Sequence, residues 1–268
     1  MLTDEIKAAI AEHALAVYPH ECCGLIAGGK YWPCKNIAAL PTRDFEMDAA
    51  TYALVEDQAE IQAVVHSHPG ASEKPSEADL DACEASGLPW VIVSLGGQLD
   101  GSVGIEEWYE FAPSGYSAPL IGCPFSHGTT DCYGLVRRYY WQVYGVKLPD
   151  FYRASDWWDD GHSDLYTEGF PKARFVVRPR GEAPQPGDVL LMRIQSRNNV
   201  PNHAAVYVGG DTILHHTYGA LSREDLYARY APYVTHVLRY REDLCKKESG
   251  QSDCTAISEQ SSDAHTAT

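Results

Sequence analysis

At 268 residues, 44% of them apolar, and with a formal charge of −16 at pH 7, the chain has room for one large or two ordinary domains, and no run in it approaches the ~18 apolar residues of a membrane span. The charge is uneven: residues 1–112 hold 5 Lys/Arg against 19 Asp/Glu, and residues 113–245 hold 14 of each. An acidic front half repels phosphate backbones and anionic membranes, so nucleic acid is not an expected partner.

The first five residues, Met1-Leu2-Thr3-Asp4-Glu5, are acidic and amphipathic. A secretory signal starts positive and turns apolar, so none is expected. The eight cysteines form no C-x-x-C pair, which predicts free thiols in a reducing compartment. Residues 3–17 place Ile6, Ile10, Ala14 and Val17 on one helical face. Residues 23–27 are a short apolar run before Gly28-Gly29, a strand and its turn. Residues 48–59 read as a helix, 61–66 as a strand, 76–85 as a helix and 90–95 as a strand. This alternation predicts a layered α/β sandwich of about 110 residues, over 1–112.

Pro113, Gly115, Pro119, Gly122 and Pro124 mark 113–124 as a linker. Residues 132–144 form a predicted helix with Asp131 at its N-cap. Residues 149–180, with Trp157 and Trp158, read as a long ordered loop with short helices. Residues 189–194, 204–208 and 212–216 alternate like strands of a small antiparallel sheet. A second domain over 118–245 follows from these elements. From about Lys246 the chain is Ser/Thr/Glu/Gln-rich, and 246–268 is expected to be a disordered tail.

Two groups of residues carry chemistry. In the first, His66 and His68 are two apart on a predicted strand, so both side chains face one way and can converge on one ion. Asp79, at the start of the next helix, can supply a third ligand. A catalytic zinc takes three protein ligands, keeps a position for water and lowers the pKa of that water toward ~7. Glu21 is the candidate base. Ser76-x-x-Asp79 is also an ordinary helix cap.

The segment Tyr18-Pro19-His20-Glu21-Cys22-Cys23-Gly24-Leu25-Ile26-Ala27-Gly28 and the run His66-Ser67-His68-Pro69 through Ser76 and Asp79 resemble the JAMM (Mov34/MPN) metalloproteases over about residues 1–111. The resemblance implies a JAMM-like α/β sandwich, zinc on His66, His68 and Asp79, Glu21 as general base, and Ser76 as donor to the tetrahedral oxyanion.

In the second group, Cys132 follows a capping Asp131 and opens a helix. Helix-terminal N–H groups favour a thiolate, although the Asp131 charge opposes it. His203 and His215 are symmetric about Gly209. A hairpin turning at Gly209-Gly210 would set them nearly opposite, one as base and the other orienting it. Gly122-Cys123-Pro124-Phe125, Asp131 through Val136, Pro186 through Leu190 and His203 through Gly209 resemble the NlpC/P60 cysteine peptidases over about residues 118–240. That resemblance implies a papain-like α+β domain with Cys132 as nucleophile, His203 as base and His215 as the orienting residue. Tyr133 stands where the family often has Ser, and Phe125 where it often has a Tyr hydroxyl near the oxyanion. The backbone N–H of Cys132 is then the expected oxyanion donor.

The two domains in one short chain resemble the tail assembly proteins of lambdoid phages. This pairing implies α+β architecture in both halves and a place in the host cell cytoplasm. It implies phage tail tip proteins, peptidoglycan peptides or both as partners. The implied activity is hydrolysis of peptide or isopeptide bonds at the zinc site and of amides at the cysteine. An assembly factor whose sites mainly bind is the alternative reading.

Overall fold

The structure, a computed structural model, describes residues 2–241; the expected tail lies outside the described residues. Thr3 accepts the Ile6 N–H at 3.3 Å and starts α1 (Asp4–Val17), whose Ile6, Ile10 and Ala14 are buried. Then follow β1 (Cys23–Ala27), β2 (Lys30–Cys34), α2 (Ala49–Gln58), β3 (Ile61–Pro69), α3 (Glu77–Ser86), β4 (Trp90–Gly97) and β5 (Val103–Phe111). The sheet order is β2-β1-β3-β4-β5. The β3–β4 pair is parallel and the others are antiparallel. Alternate residues of the central strands feed two cores. Ile26, Ala63, Val65, Val91 and Val93 pack with α1. Leu25, Val64 and Trp90 pack on the other face with Val55 of α2 and Cys83 of α3. The result is a three-layer α/β sandwich, because strands buried on both faces need helices on both.

The second half runs α4 (Cys132–Tyr144), α5 (Leu165–Gly169), β6 (Phe175–Val177), β7 (Val189–Met192), β8 (His203–Gly209), β9 (Thr212–His215), β10 (Arg223–Leu226), α6 (Tyr227–Tyr230) and β11 (Val234–Tyr240). Its strands pair antiparallel in the order β10-β9-β8-β7-β11-β6. Leu135, Val136, Tyr139 and Tyr140 of α4 bury one face with Val189, Leu191, Ala204, Val206 and Leu214. Leu190, Met192, Ala205 and Ile213 form a smaller core on the other face. The 149–180 segment is an ordered loop carrying a 3-10 turn (Trp157–Asp159) and α5, with β6 in addition.

Residues 113–124 are held at both ends. Glu84 Oε1 accepts the Tyr116 N–H at 2.9 Å, and Cys123 exchanges hydrogen bonds with Ser222. Side chains also bridge the halves. Arg138 of α4 lies 3.6 Å from Asp81 of α3, and the Tyr152 hydroxyl donates to Glu46. The six described cysteines are free and buried. Among the described residues no helix is long and apolar enough to cross a membrane.

Candidate functional site

The first centre is set by strand pleat and helix cap. His66 and His68 leave β3 on the face that carries α3, and Ser67 leaves on the other. Ser76 and Asp79 form a capping box. The Ser76 N–H donates to Asp79 Oδ2 at 2.7 Å, and Ser76 Oγ accepts the Asp79 N–H at 3.2 Å. The cap swings the Asp79 carboxylate toward the strand. His66 Nε2 is then 3.0 Å from His68 Nε2 and 3.1 Å from Asp79 Oδ1, and His68 Nε2 is 3.6 Å from Asp79 Oδ2.

These three residues offer one donor atom each, all within 4.8 Å of one another. His68 Nδ1 donates to the Ser72 carbonyl at 2.6 Å, which leaves a lone pair on Nε2. His66 is held by packing, stacked on Phe45 at 4.6 Å and edge-on to Trp90 at 5.5 Å. Two imidazole lone pairs facing each other repel unless a proton or cation lies between them. A tetrahedral zinc with N and O ligands at ~2.0–2.2 Å spans donor pairs ~3.3 Å apart, so the donor set fits that ion.

Glu21 is buried at the entry to β1. Ser67 fixes it there. Ser67 Oγ accepts the Cys22 N–H at 2.7 Å, and the Ser67 N–H donates to the Cys22 carbonyl at 3.1 Å. Asn36 Nδ2 adds a bond to the Glu21 carbonyl at 3.0 Å. Burial pushes the Glu21 carboxyl up to about 8; His68 opposes the shift, and Asp79 and Asp44 add to it. Burial opposes ionisation of Asp79 too, but His66, His68 and Ser76 hold it far below the carboxylate range. An open groove of about 430 Å³, lined by His13, His20, Pro33 and Lys35, meets Glu21.

The second centre begins at α4. Asp131 caps it, accepting the Gly134 N–H at 2.8 Å. Gly134 is required there, since an added Cβ would lie 1.7 Å from the Thr129 carbonyl oxygen. Arg153, buried, donates to Asp131 at 2.8 Å and lies over the Tyr133 ring at 5.1 Å. Cys132 Sγ is 3.0 Å from the Tyr166 hydroxyl and meets the Ala204 backbone N–H. Among the described residues, no hydrogen bond joins it to His203.

The expected lowering of the Cys132 pKa is overturned. Burial, and then the Asp131 charge, push the thiol up to about 11 against the pull of Tyr166, Ala204 and Arg153. Desolvation of a buried anion outweighs a helix terminus. Burial first, with His215 and His216 adding, pushes His203 down to about 3. The resting pair is therefore neutral.

His203 Nε2 is 3.1 Å from His215 Nδ1. They are diagonal rather than opposite: His215 pairs with Ala205, and a bulge falls between Tyr207 and Gly209. The turn lies at Gly210-Asp211, both at φ +58, the left-handed pair that a tight hairpin needs. His216 leaves the strand, bonds the Ala220 carbonyl at 3.0 Å and meets Phe125 edge-on.

Spacing alone did not reveal Ser67, Asn36, Arg153, Tyr166 or Asp225, the last 3.3 Å from His215 Nε2. The first three act through backbone or cap contacts. Tyr166 and Asp225 arrive from distant segments, and neither lies in a local motif.

Residues 3–108 match the family of prokaryotic homologs of the JAB domain, and residues 122–240 match the NlpC/P60 family. Tail tip assembly protein K of Escherichia phage N15 is 36% identical over 254 residues, covering 89% of this chain and 97% of that protein. Tail tip assembly protein K of Escherichia phage lambda is 38% identical over 192 residues, covering 72% of this chain and 87% of that protein. Among solved structures, NlpC1 from Trichomonas vaginalis is 23% identical with a TM-score of 0.33, over 45% of this chain and 40% of that one.

Proposed function

This chain belongs to the tail tip assembly protein K family, and from that premise we propose that it is a bifunctional peptidase of phage tail tip assembly, working in the host cell cytoplasm. The observation that carries the reading is the convergence of His66, His68 and Asp79, with a buried Glu21 close enough to feel the charges of His68 and Asp79.

His66, His68 and Asp79 would hold a zinc ion, which when bound would supply Lewis acidity and lower the pKa of water at the site. Glu21, in the ionised form that is the minor one while burial holds its pKa at about 8, takes a proton from the attacking water and returns it to the leaving amine. Ser76 Oγ already accepts a backbone N–H, so its own proton is free to donate to the developing oxyanion. The groove beside Glu21 admits an extended peptide or isopeptide strand.

In the second half Cys132 Sγ attacks the amide carbon while its proton passes to His203. The leaving amine takes that proton, and water then hydrolyses the thioester. The backbone N–H of Cys132 faces the oxyanion. Peptidoglycan stem peptides and tail tip proteins are the substrate classes. One observation favours a second reading for this half: the thiol is protonated at rest and turned to Tyr166, as in a module that binds tail proteins without cutting them.

The test is incubation of candidate tail proteins and purified peptidoglycan with wild type, Glu21→Gln and Cys132→Ala. Each substitution should abolish one cleavage and spare the other. Cleavage unaffected by both would overturn the proposal. Cleavage lost in Glu21→Gln alone leaves the second half as a binding module.

A further inference from the structure

His215 is fully buried, and both its ring nitrogens are engaged. Nε2 is 3.3 Å from Asp225 Oδ2, and Nδ1 is 3.1 Å from His203 Nε2. A carboxylate can only accept, so the His215 proton is on Nε2 and its lone pair is on Nδ1. That lone pair accepts the His203 Nε2–H. The lone pair of His203 is therefore on Nδ1.

Without the carboxylate, His215 is free to carry its proton on Nδ1 and donate to His203 Nε2. The His203 proton then sits on Nδ1, where it blocks acceptance of a proton from a thiol. The carboxylate is built in. Arg223 Nε donates to Asp225 Oδ2 at 3.0 Å, Arg229 donates to Oδ1 at 3.3 Å, and the Tyr230 hydroxyl lies 3.3 Å from Oδ2. Arg223 is also the cross-strand partner of His215, and the Tyr230 ring meets His215 edge-on at 4.6 Å.

We infer that Asp225 is a positioning residue that sets the tautomer of His203 through His215 and so keeps the Nδ1 lone pair available as the base. This rests on the reading of Cys132 and His203 as nucleophile and base. Asp225 bonds His215, Arg223, Arg229 and Tyr230, and among the described residues no hydrogen bond joins it to Cys132. Its effect is relayed by two hydrogen bonds, each fixing the proton of the next ring.

The experiment is long-range ¹H–¹⁵N correlation on the full chain with ¹⁵N-histidine, assigned with His203→Gln and His215→Gln. Wild type should show His203 protonated on Nε2. Asp225→Ala should populate the Nδ1–H form. Asp225→Leu, which keeps the volume and removes the acceptor, should do the same. Arg229→Ala, which disturbs the surface pairing alone, should leave the tautomer in place. In turnover, Asp225→Ala should lower kcat about 10–100-fold with KM unchanged. Wild-type His203 protonated on Nδ1, or an unchanged tautomer in either Asp225 variant, would overturn the inference. Hydrolysis unaffected by Cys132→Ala would instead sink the peptidase reading, and the tautomer measurement still decides the role of Asp225.

Discussion

The Cys132 thiol rests 3.0 Å from the Tyr166 hydroxyl, on a residue from α5 that no local motif marks. That hydroxyl pulls the thiol pKa down against burial and Asp131, which together hold it at about 11. Tyr166→Phe removes the pull, so the thiolate fraction falls. A hydrogen bond to a charged group is worth ~1.5–3 kcal/mol, so iodoacetamide labelling of Cys132 at mildly alkaline pH should slow about tenfold or more. Peptide mass spectrometry reads the rate, and an unchanged rate would show the contact to be idle.

Acid should weaken the fold through His203. Its folded pKa, about 3, lies below the ordinary 6.5. The stability it contributes is full above 6.5 and is lost as pH falls toward 3. Glu21 works in the opposite sense: raised from 4.5 to about 8, it contributes stability below 4.5 that is lost as pH rises through 8. Melting curves from pH 7 to 5 should therefore be compared between variants. His203→Gln should flatten the fall in Tm; an equally steep fall would mean that His203 is not the cause.

The first centre should bind about one zinc per chain. Elemental analysis should find it in wild type and in Glu21→Gln, and find background in His66→Ala. Hydrolysis by Glu21→Gln should drop ~100-fold or more with the metal retained. Equal, negligible zinc in wild type and His66→Ala under metal-replete conditions would remove the basis for metal chemistry.

Gly134→Ala should destabilise the second half by about 1–3 kcal/mol, because its Cβ meets the Thr129 carbonyl at 1.7 Å and cannot be absorbed by side-chain motion. The same shift moves the first turn of α4, which carries Cys132. Denaturant midpoints and Cys132 labelling should change together; a wild-type midpoint would contradict the contact.

Residues 1–113 and 114–245, expressed apart, should each fold around their own sheet. Each should melt below the whole chain, because Arg138, 4% exposed, loses Asp81. Two unfolded halves would mean that neither is a domain by itself.

What the sequence revealed follows burial. β1, β3, β4 and the cap of α3 lie where continuous apolar runs and Ser76-x-x-Asp79 predict them, since strands covered on both faces need such runs. The edge strands were illegible. β2 holds Pro33, β5 holds Glu106, Glu107 and Glu110, and β10 is Arg223-Glu224-Asp225-Leu226, so solvent, not a core, chose their residues. His66, His68 and Asp79 are close in sequence, and pleat plus cap suffices to join them. Tyr166 reaches Cys132 across 34 residues, and Asp225 reaches His215 from an edge strand without apolar alternation, so neither left a pattern to read. The His203–His215 register missed because the bulge and the Gly210-Asp211 turn are invisible to symmetry.

Ser67 stands between the two histidines and faces the other way, bonded to Cys22, the residue that leads into β1. Sliding β3 by one residue would send both imidazoles to the α1 layer and leave Cys22, and Glu21 with it, without its tether. One alignment of two strands therefore turns His66 and His68 toward the Asp79 cap of α3 and holds Glu21 on the same side. A nascent or misthreaded chain has neither, so the hydrolysis proposed for this centre would be withheld until folding is complete.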